Sequence, residues 1–362
     1  MADHLRMSAQ PAIPIRVGAV TAANDLRLGF IGCGRHATAN LYPSIAAIGA
    51  RLTSIATRNS DGAAAAASRH GAQHSHGDYR TMLATDHLDA VFISVGPNDQ
   101  VAIVEDCLSA GVHVFVEKPL GLTQAEAQRV ADVAATTERI VMVGFMKRFA
   151  PSYLALQSVM ADTASFGDPM SFAATFAFSP WTNTLRDDTF LTLAAIHMVD
   201  LIRATFGEIT DVRGYRNSRD ADINMALSMC CASGVVGTVN LASLNSWARG
   251  HESLTVTGGH GYVTATDLSQ VRYHLDQAIV DEPPRWQTLD EHTVVLDSAI
   301  STASGGAQDL FLRGFAGEVA HFLDCIREHR QPPCSAADNV ATMALCERIL
   351  ASLDETDSTP HA

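Results

Sequence analysis

The sequence predicts an α/β protein of two domains. The first is a parallel sheet with helices on both faces, and the second is an α+β unit built on an open, antiparallel or mixed sheet. Three observations carry this reading. Strand and helix patterns alternate over about 120 residues from Leu26 onward. A glycine-rich turn joins the first strand to the first helix. From Ala150, short strand segments follow one another with Gly-rich or polar turns between them. A chain of 362 residues exceeds what one hydrophobic core comfortably serves, and 47% apolar residues supply material for two.

In the first domain, DLRLGFIG reads as a strand running into a glycine turn, and apolar residues then recur at helical spacing over 37–48. LTSIAT (52–57) is the next strand and 63–70 an alanine-rich helix. LDAVFISV (88–95) is apolar nearly throughout, the pattern of a strand buried on both faces. A helix over 101–111 stops at Gly111. A strand over 112–118 follows, and then a helix opened by Thr123 with Glu126 three residues on, a capping box. IVMVGF (140–145) is one more strand.

In the second domain, strand candidates fall at 170–178, 211–218, 223–234, 235–245, 252–266 and 269–275, with a helical pattern over 187–207. Two helices, 314–329 and 337–353, close the chain around the break QPPCS and can pack back across the first domain. The expected organisation is a loosely attached leader over 1–24, a dinucleotide-binding domain over 25–146, a substrate and oligomerisation domain over 147–330, and a final helix over 331–354. An open sheet left uncovered favours a homodimer or homotetramer through that face.

The formal net charge of −14 argues against general affinity for nucleic acid or an anionic membrane. Seven cysteines with no C-x-x-C pair support neither a zinc site nor a disulfide scaffold, and no E-x-x-H or H-x-x-x-H spacing points to another metal. The N-terminal stretch lacks a secretory pattern, so the expected location is cytoplasmic.

The turn Gly32-Cys33-Gly34-Arg35-His36-Ala37 has the form G-x-G-x-x-A in a strand–turn–helix setting. Gly32 allows the tight turn, Gly34 lets a pyrophosphate approach the backbone, and Ala37 permits close packing of helix on strand. The helix terminus behind it, with Arg35 and His36 at its start, offers unpaired N–H groups to the anion. This is the pattern of a Rossmann-type dinucleotide site; the alternative is a glycine turn without a ligand. About 20 residues on, an NAD-binding fold usually places an acid for the ribose. Here Thr57 holds that place, followed by Arg58 and Asn59. A guanidinium pairs with a 2′-phosphate that a carboxylate would repel, so NADP is favoured, with NAD as the alternative. The competing reading makes Arg58 a solvated surface residue.

Lys118, in Glu117-Lys118-Pro119, sits at the C-terminal edge of a parallel strand, where ligands of such sheets bind. A lysine there can donate to a reacting oxygen; a Glu–Lys surface pair is the alternative. His197 lies in the apolar helix AAIHMVDLI with Asp200 three residues on. It can take a hydroxyl proton as hydride leaves, or it can be a core-edge histidine paired with Asp200.

With GFIGCGRHA, AGVHVFVEKPLGLT, VGFMKRFAPSY, the IHMVDLI helix and the closing helix pair together, the chain resembles the glucose–fructose oxidoreductase/inositol dehydrogenase (Gfo/Idh/MocA) family from about Leu26 to Leu353. The resemblance implies an N-terminal Rossmann domain and a C-terminal α+β domain on an open, largely antiparallel sheet. It also implies hydride transfer between a nicotinamide and a small polyhydroxylated substrate, a sugar, cyclitol or related carbonyl or alcohol. Lys118 matches the family lysine at the reacting oxygen, and His197 the histidine of proton transfer. Asp200 matches the acid commonly found three positions after that histidine. Gly96, Pro97 and Asn98, with Glu117, form the expected edge around the nicotinamide ribose. Two positions depart from the family: Leu193 stands where many members have the Asp of D-x-x-x-H, and Gln100 replaces the usual histidine after the fourth strand. Asp187, Asp188 or Asp200 are candidates to compensate for Leu193. Arg148 can bind a polar substrate or close a domain contact, and Trp181 and Asn183 can wall the pocket or pack in a loop. Leu193 also motivates a second reading, a non-catalytic dinucleotide sensor or scaffold. A third is a cofactor-retaining enzyme that uses a transient redox step for hydrolysis or epimerisation.

Overall fold

The computed structural model describes residues 25–275, 293–299 and 308–357. The expected leader over 1–24 lies outside them. Six strands form the first sheet: β1 (Leu28–Ile31), β2 (Leu52–Ala56), β3 (His74–His76), β4 (Ala90–Ile93), β5 (His113–Glu117) and β6 (Val141–Gly144). All pair in parallel, in the order β3-β2-β1-β4-β5-β6. The strand order reverses between β1 and β4, which opens a crevice at their C-terminal ends. β1, β4 and β6 are buried at every residue, which accounts for their apolar sequences.

The connecting helices are α1 (Tyr42–Ala47), α2 (Ser60–His70), α3 (Tyr79–Thr85), α4 (Pro97–Ser109) and α5 (Gln124–Thr137). A π-helical turn, Ala37–Leu41, precedes α1, so the first helix is widened where it leaves the glycine loop. Asn59 caps α2, its Oδ1 accepting from the Asp61 and Gly62 N–H groups. Thr123 caps α5 by accepting from Glu126 N at 3.2 Å. Glu126 reaches back to Leu122 N (2.7 Å), one residue before the position a capping box requires.

The 3₁₀ turn Met146–Phe149 and α6 (Pro151–Ala161) lead, through α7 (Thr163–Phe166), into β7 (Pro169–Phe178). Then come α8 (Asp187–Phe190), a second π-helical turn (Leu191–Ala195) and α9 (Ile196–Phe206). The run Asp187–Phe206 is long and apolar enough to cross a bilayer, yet 67% of its most apolar window is buried within the protein. The remaining strands are β8 (Ile209–Arg216), β9 (Ile223–Cys231), β10 (Val236–Ser243), β11 (His251–Gly258), β12 (Gly261–Thr266), β13 (Gln270–Leu275) and β14 (Thr293–Asp297). The second sheet runs β14-β13-β12-β11-β7-β10-β9-β8 and is antiparallel except for β7 against β10. Alternation is clean in β9, where Ile223, Met225, Leu227, Met229 and Cys231 are buried and Ala226, Ser228 and Cys230 are exposed.

The last helices are α10 (Gln308–Leu312), α11 (Phe315–Arg327) and α12 (Ala336–Asp357). Phe322 of α11 meets Phe92 and Phe115 of the first sheet at ring-centroid distances of 5.4 and 5.8 Å. Packing therefore joins α11 to the first sheet, although its sequence falls within the span expected for the second domain. α12 contacts α5 on one side and β8 and α9 on the other, so it touches both sheets' surroundings. All seven cysteines are free thiols.

Candidate active site

The glycine loop follows β1 directly. Gly32 has φ +106°, and a Cβ there would lie 2.1 Å from the Ser94 carbonyl oxygen, so only glycine fits between the ends of β1 and β4. Tyr42 Oη donates to the Gly32 carbonyl (2.8 Å) from a ring stacked between Phe30 and His70. Gly34 differs: it is exposed, and a Cβ there would meet nothing within 4 Å. Its open side is room for a ligand to approach the backbone.

Beyond the loop lies a cleft of about 740 Å³ lined by Gly32, Cys33, Gly34, His36, Thr57, Arg58, Gly96 and Asn98, among others. Gly77, Asp78, Tyr79 and Arg80, from the start of α3, form a further wall that the sequence reading missed. A polar three-residue edge strand and a seven-residue helix carry little periodic signal to reveal them. Arg35, Asn59 and Pro97 do not line the cleft, and the Asn59 carboxamide oxygen is committed to capping α2. The Arg58 side chain is 96% exposed and lies 3.9 Å from Asp99. Size, the open Gly34 backbone and the helix start behind it fit a dinucleotide.

His36 bridges the loop to β5. Asn40 Nδ2 donates to His36 Nδ1 (3.2 Å), and Arg313 donates to Asn40 Oδ1, which fixes the amide. His36 Nε2–H therefore donates to Glu117 Oε1, 2.8 Å away. Glu117 is thus a buried acceptor for the glycine loop rather than a surface partner of Lys118.

The Lys118 Nζ donates to the carbonyl of Leu193 at 2.6 Å. Burial lowers its pKa below the ordinary 10.5, with Lys147 adding to this and Glu117 and Glu318 opposing it. The peptide between Lys118 and Pro119 is cis. Leu193 belongs to the π-helical turn, and His197 stands at the second position of α9. Lys118 and His197 are thereby tied to one short segment, although they lie far apart in sequence.

His197 Nδ1 is buried with no hydrogen-bond partner, and its ring meets Phe145 edge-on at 6.3 Å. Burial holds its pKa well below the ordinary 6.5, and the positive fields of Lys118, Lys147, His36 and Arg313 add to that. The imidazole is therefore neutral and able to accept a proton.

The expected His197–Asp200 pair does not form. Asp200 instead accepts from Arg148 Nε (2.7 Å) and Nη2 (2.5 Å) and from Thr342 Oγ1 (3.0 Å). Arg148 also donates to Asp338 Oδ2 (2.6 Å) and to the Pro333 carbonyl (3.1 Å). Every nitrogen of that guanidinium is engaged and its side chain is 8% exposed, so Arg148 closes a junction and is not free for substrate. Nor does an acid replace the missing one at Leu193 directly: Asp188 pairs with Arg186, and Asp187 accepts from Arg216 at 3.3 Å. Trp181 is 49% exposed and stacks on Phe178, with ring centroids 5.3 Å apart and planes nearly parallel. Asn183 is exposed in the same loop. Gln100 is buried, and its Nε2 donates to the Val95 carbonyl at 3.5 Å.

Comparison with known proteins matches residues 26–145 to the family described as "Oxidoreductase family, NAD-binding Rossmann fold" (GFO_IDH_MocA). The chain is 25% identical to a 4-carboxy-2-hydroxymuconate-6-semialdehyde dehydrogenase of Sphingobium sp., over 91% of this chain and 98% of that protein. It is 24% identical to a D-apiose dehydrogenase of Paraburkholderia graminis, over 96% and 93% respectively. The fold is shared with a levoglucosan dehydrogenase solved with NADH and L-sorbose: TM-score 0.78, 19% identity, 92% of this chain and 98% of that one.

Proposed function

We propose that this chain, a member of the NAD-binding Gfo/Idh/MocA oxidoreductase family, transfers hydride between a nicotinamide dinucleotide and a sugar, cyclitol or related alcohol or carbonyl compound. One observation carries the reading: Lys118, at the end of β5, is anchored to the Leu193 carbonyl, four residues before a neutral His197. The relatives that are dehydrogenases of a sugar and of an aldehyde support this class of substrate, and favour catalysis over the sensor reading.

The dinucleotide, when bound, supplies the site that accepts or gives hydride. In oxidation, the substrate hydroxyl lies between Lys118 and His197. His197 takes its proton, and the Lys118 N–H groups not used by Leu193 stabilise the charge that grows on oxygen. In reduction the same groups work in reverse, with His197 returning the proton. His36 and the Gly32–Gly34 backbone hold the phosphates, and Glu117 orients His36.

NADP is our preferred dinucleotide. Thr57 stands at the β2 end in place of a carboxylate that would repel a 2′-phosphate, and Arg58 and Arg80 line that wall of the cleft together with Asp78 and Asp99. The test is titration with NADP and NAD followed by assay on a panel of polyols, aldoses, keto-sugars and aldehydes. Turnover lowered about 10²-fold or more in Lys118→Ala supports the reading; tight dinucleotide binding with no turnover across the panel favours the sensor instead.

A further inference from the structure

The wall of the cleft at the start of α3 carries a preassembled group of side chains. Asp78 caps α3, its Oδ1 accepting from Arg80 N at 3.1 Å. The Arg80 guanidinium lies over the Tyr79 ring, 4.7 Å from its centroid. Its Nη2 pairs with Asp106 Oδ2 at 2.8 Å, and the Tyr79 hydroxyl donates to that same oxygen at 2.6 Å. Asp106 belongs to α4, so these contacts tie the start of α3 to α4. One face and one edge of the guanidinium are thereby occupied. The Arg80 side chain is nevertheless 64% exposed, which leaves its other face open. α4 also gives Ala102 and Ile103 to the cleft, four and three residues before Asp106 and so on the same side of that helix. Arg58 is held differently: it is 96% exposed, and its pair with Asp99 is 3.9 Å long.

An arginine whose charge is already matched by a carboxylate is a poor phosphate ligand, yet its open plane can still stack on an aromatic ring. We propose that Arg80 receives the adenine of the dinucleotide on that open face, with Ala102 and Ile103 as the apolar side of the same slot. The two arginines then divide the adenosine end between them. Arg58 reads the 2′-phosphate, whereas Arg80 holds the base that NADP and NAD share. Arg80 therefore selects adenine dinucleotides as a class and does not discriminate within it. The inference rests on the dinucleotide reading of the cleft, and its test needs neither substrate nor turnover.

Isothermal titration of the full chain with NADP, NAD and ADP-ribose provides that test. Arg80→Ala should weaken all three about tenfold, because all three carry adenine. Arg80→Lys should not recover the loss, since it keeps the charge without the plane. The Arg80–Asp106 pair is solvent-exposed, so both variants should melt close to wild type. A loss confined to NADP would make Arg80 a phosphate ligand and overturn the proposal. Unchanged affinity for all three in Arg80→Ala, or full recovery in Arg80→Lys, would overturn it equally. Wild-type protein that binds none of the three would sink the dinucleotide reading and the proposal with it. Failure of the substrate panel, by contrast, would leave these affinities interpretable.

Discussion

The Nζ of Lys118 donates to the backbone oxygen of Leu193 at 2.6 Å. Leu193, where the family resemblance leads one to expect an acid, thus contributes its main chain instead of a side chain. The lysine gains an orienting acceptor that itself carries no charge. Lys118→Ala should lower turnover about 10²-fold or more while changing dinucleotide affinity only a few-fold, because the lost donor acts where charge develops. Steady-state kinetics with a fluorescence titration of the dinucleotide checks both halves. Equal losses in both would move Lys118 to the binding side.

The pH profile should bear the mark of His197. Its depressed pKa keeps the imidazole a base below the ordinary 6.5, so the acid limb of kcat/KM for alcohol oxidation should fall below that value. The alkaline limb should fall below 10.5, where Lys118 loses its proton. Stability follows with a definite sign. Below about 6.5 the unfolded histidine binds a proton that the folded one refuses, so stability is lost as pH falls from there toward the folded pKa. Leu193→Asp puts a carboxylate one helical turn before His197, favours the charged ring, and should move the acid limb upward.

Arg58 should act on one dinucleotide and not the other. Arg58→Ala should weaken NADP binding about tenfold and leave NAD within twofold, since only the former carries a 2′-phosphate for the guanidinium. Paired isothermal titrations read this out. An equal effect on both would return Arg58 to a solvated surface role.

The two loop glycines should separate stability from binding. Gly32→Ala drives a methyl into the Ser94 carbonyl at positive φ and should destabilise the fold by roughly 2–3 kcal/mol. Gly34→Ala meets no protein atom and should fold normally, yet its methyl would occupy the side from which the pyrophosphate comes. Thermal melts and dinucleotide titrations of the pair should give opposite rankings.

Arg148 should behave as structure. Arg148→Met leaves Asp200 buried with only Thr342 as a side-chain donor, at a cost of about 3–5 kcal/mol. Denaturant unfolding measures it. A variant of wild-type stability with raised substrate KM would restore the substrate-binding role for Arg148.

Local pattern reveals what local forces decide. The strands β1, β4 and β6 are short apolar runs because both their faces are covered, and the loop at Gly32–Ala37 follows from backbone geometry that only small residues allow. The edge strand β3, three polar residues, carries no such signature. Nor does α6, whose apolar residues are spread around its circumference. The partners of the site are illegible for another reason: they meet across the chain. Asp200 pairs with Arg148, 52 residues away, rather than with the histidine one turn back, because a fixed guanidinium offers it two charge-assisted bonds. Glu318 looks in sequence like the polar position of an amphipathic helix. Only the packing of α11 against the 3₁₀ turn and His36 buries it.

The last helix has a bearing on how the protein is made. Asp338 and Thr342 of α12 complete the contacts of Arg148 and Asp200, while Asn339 donates to the Leu120 carbonyl just beyond Lys118. Synthesis runs from the other end, and domains generally fold as they emerge. The first sheet can assemble early, but the seam beneath Lys118 and the helix of His197 stays unstitched until α12 has left the ribosome. A nascent chain stalled short of α12 would carry a formed dinucleotide loop above an unfinished floor.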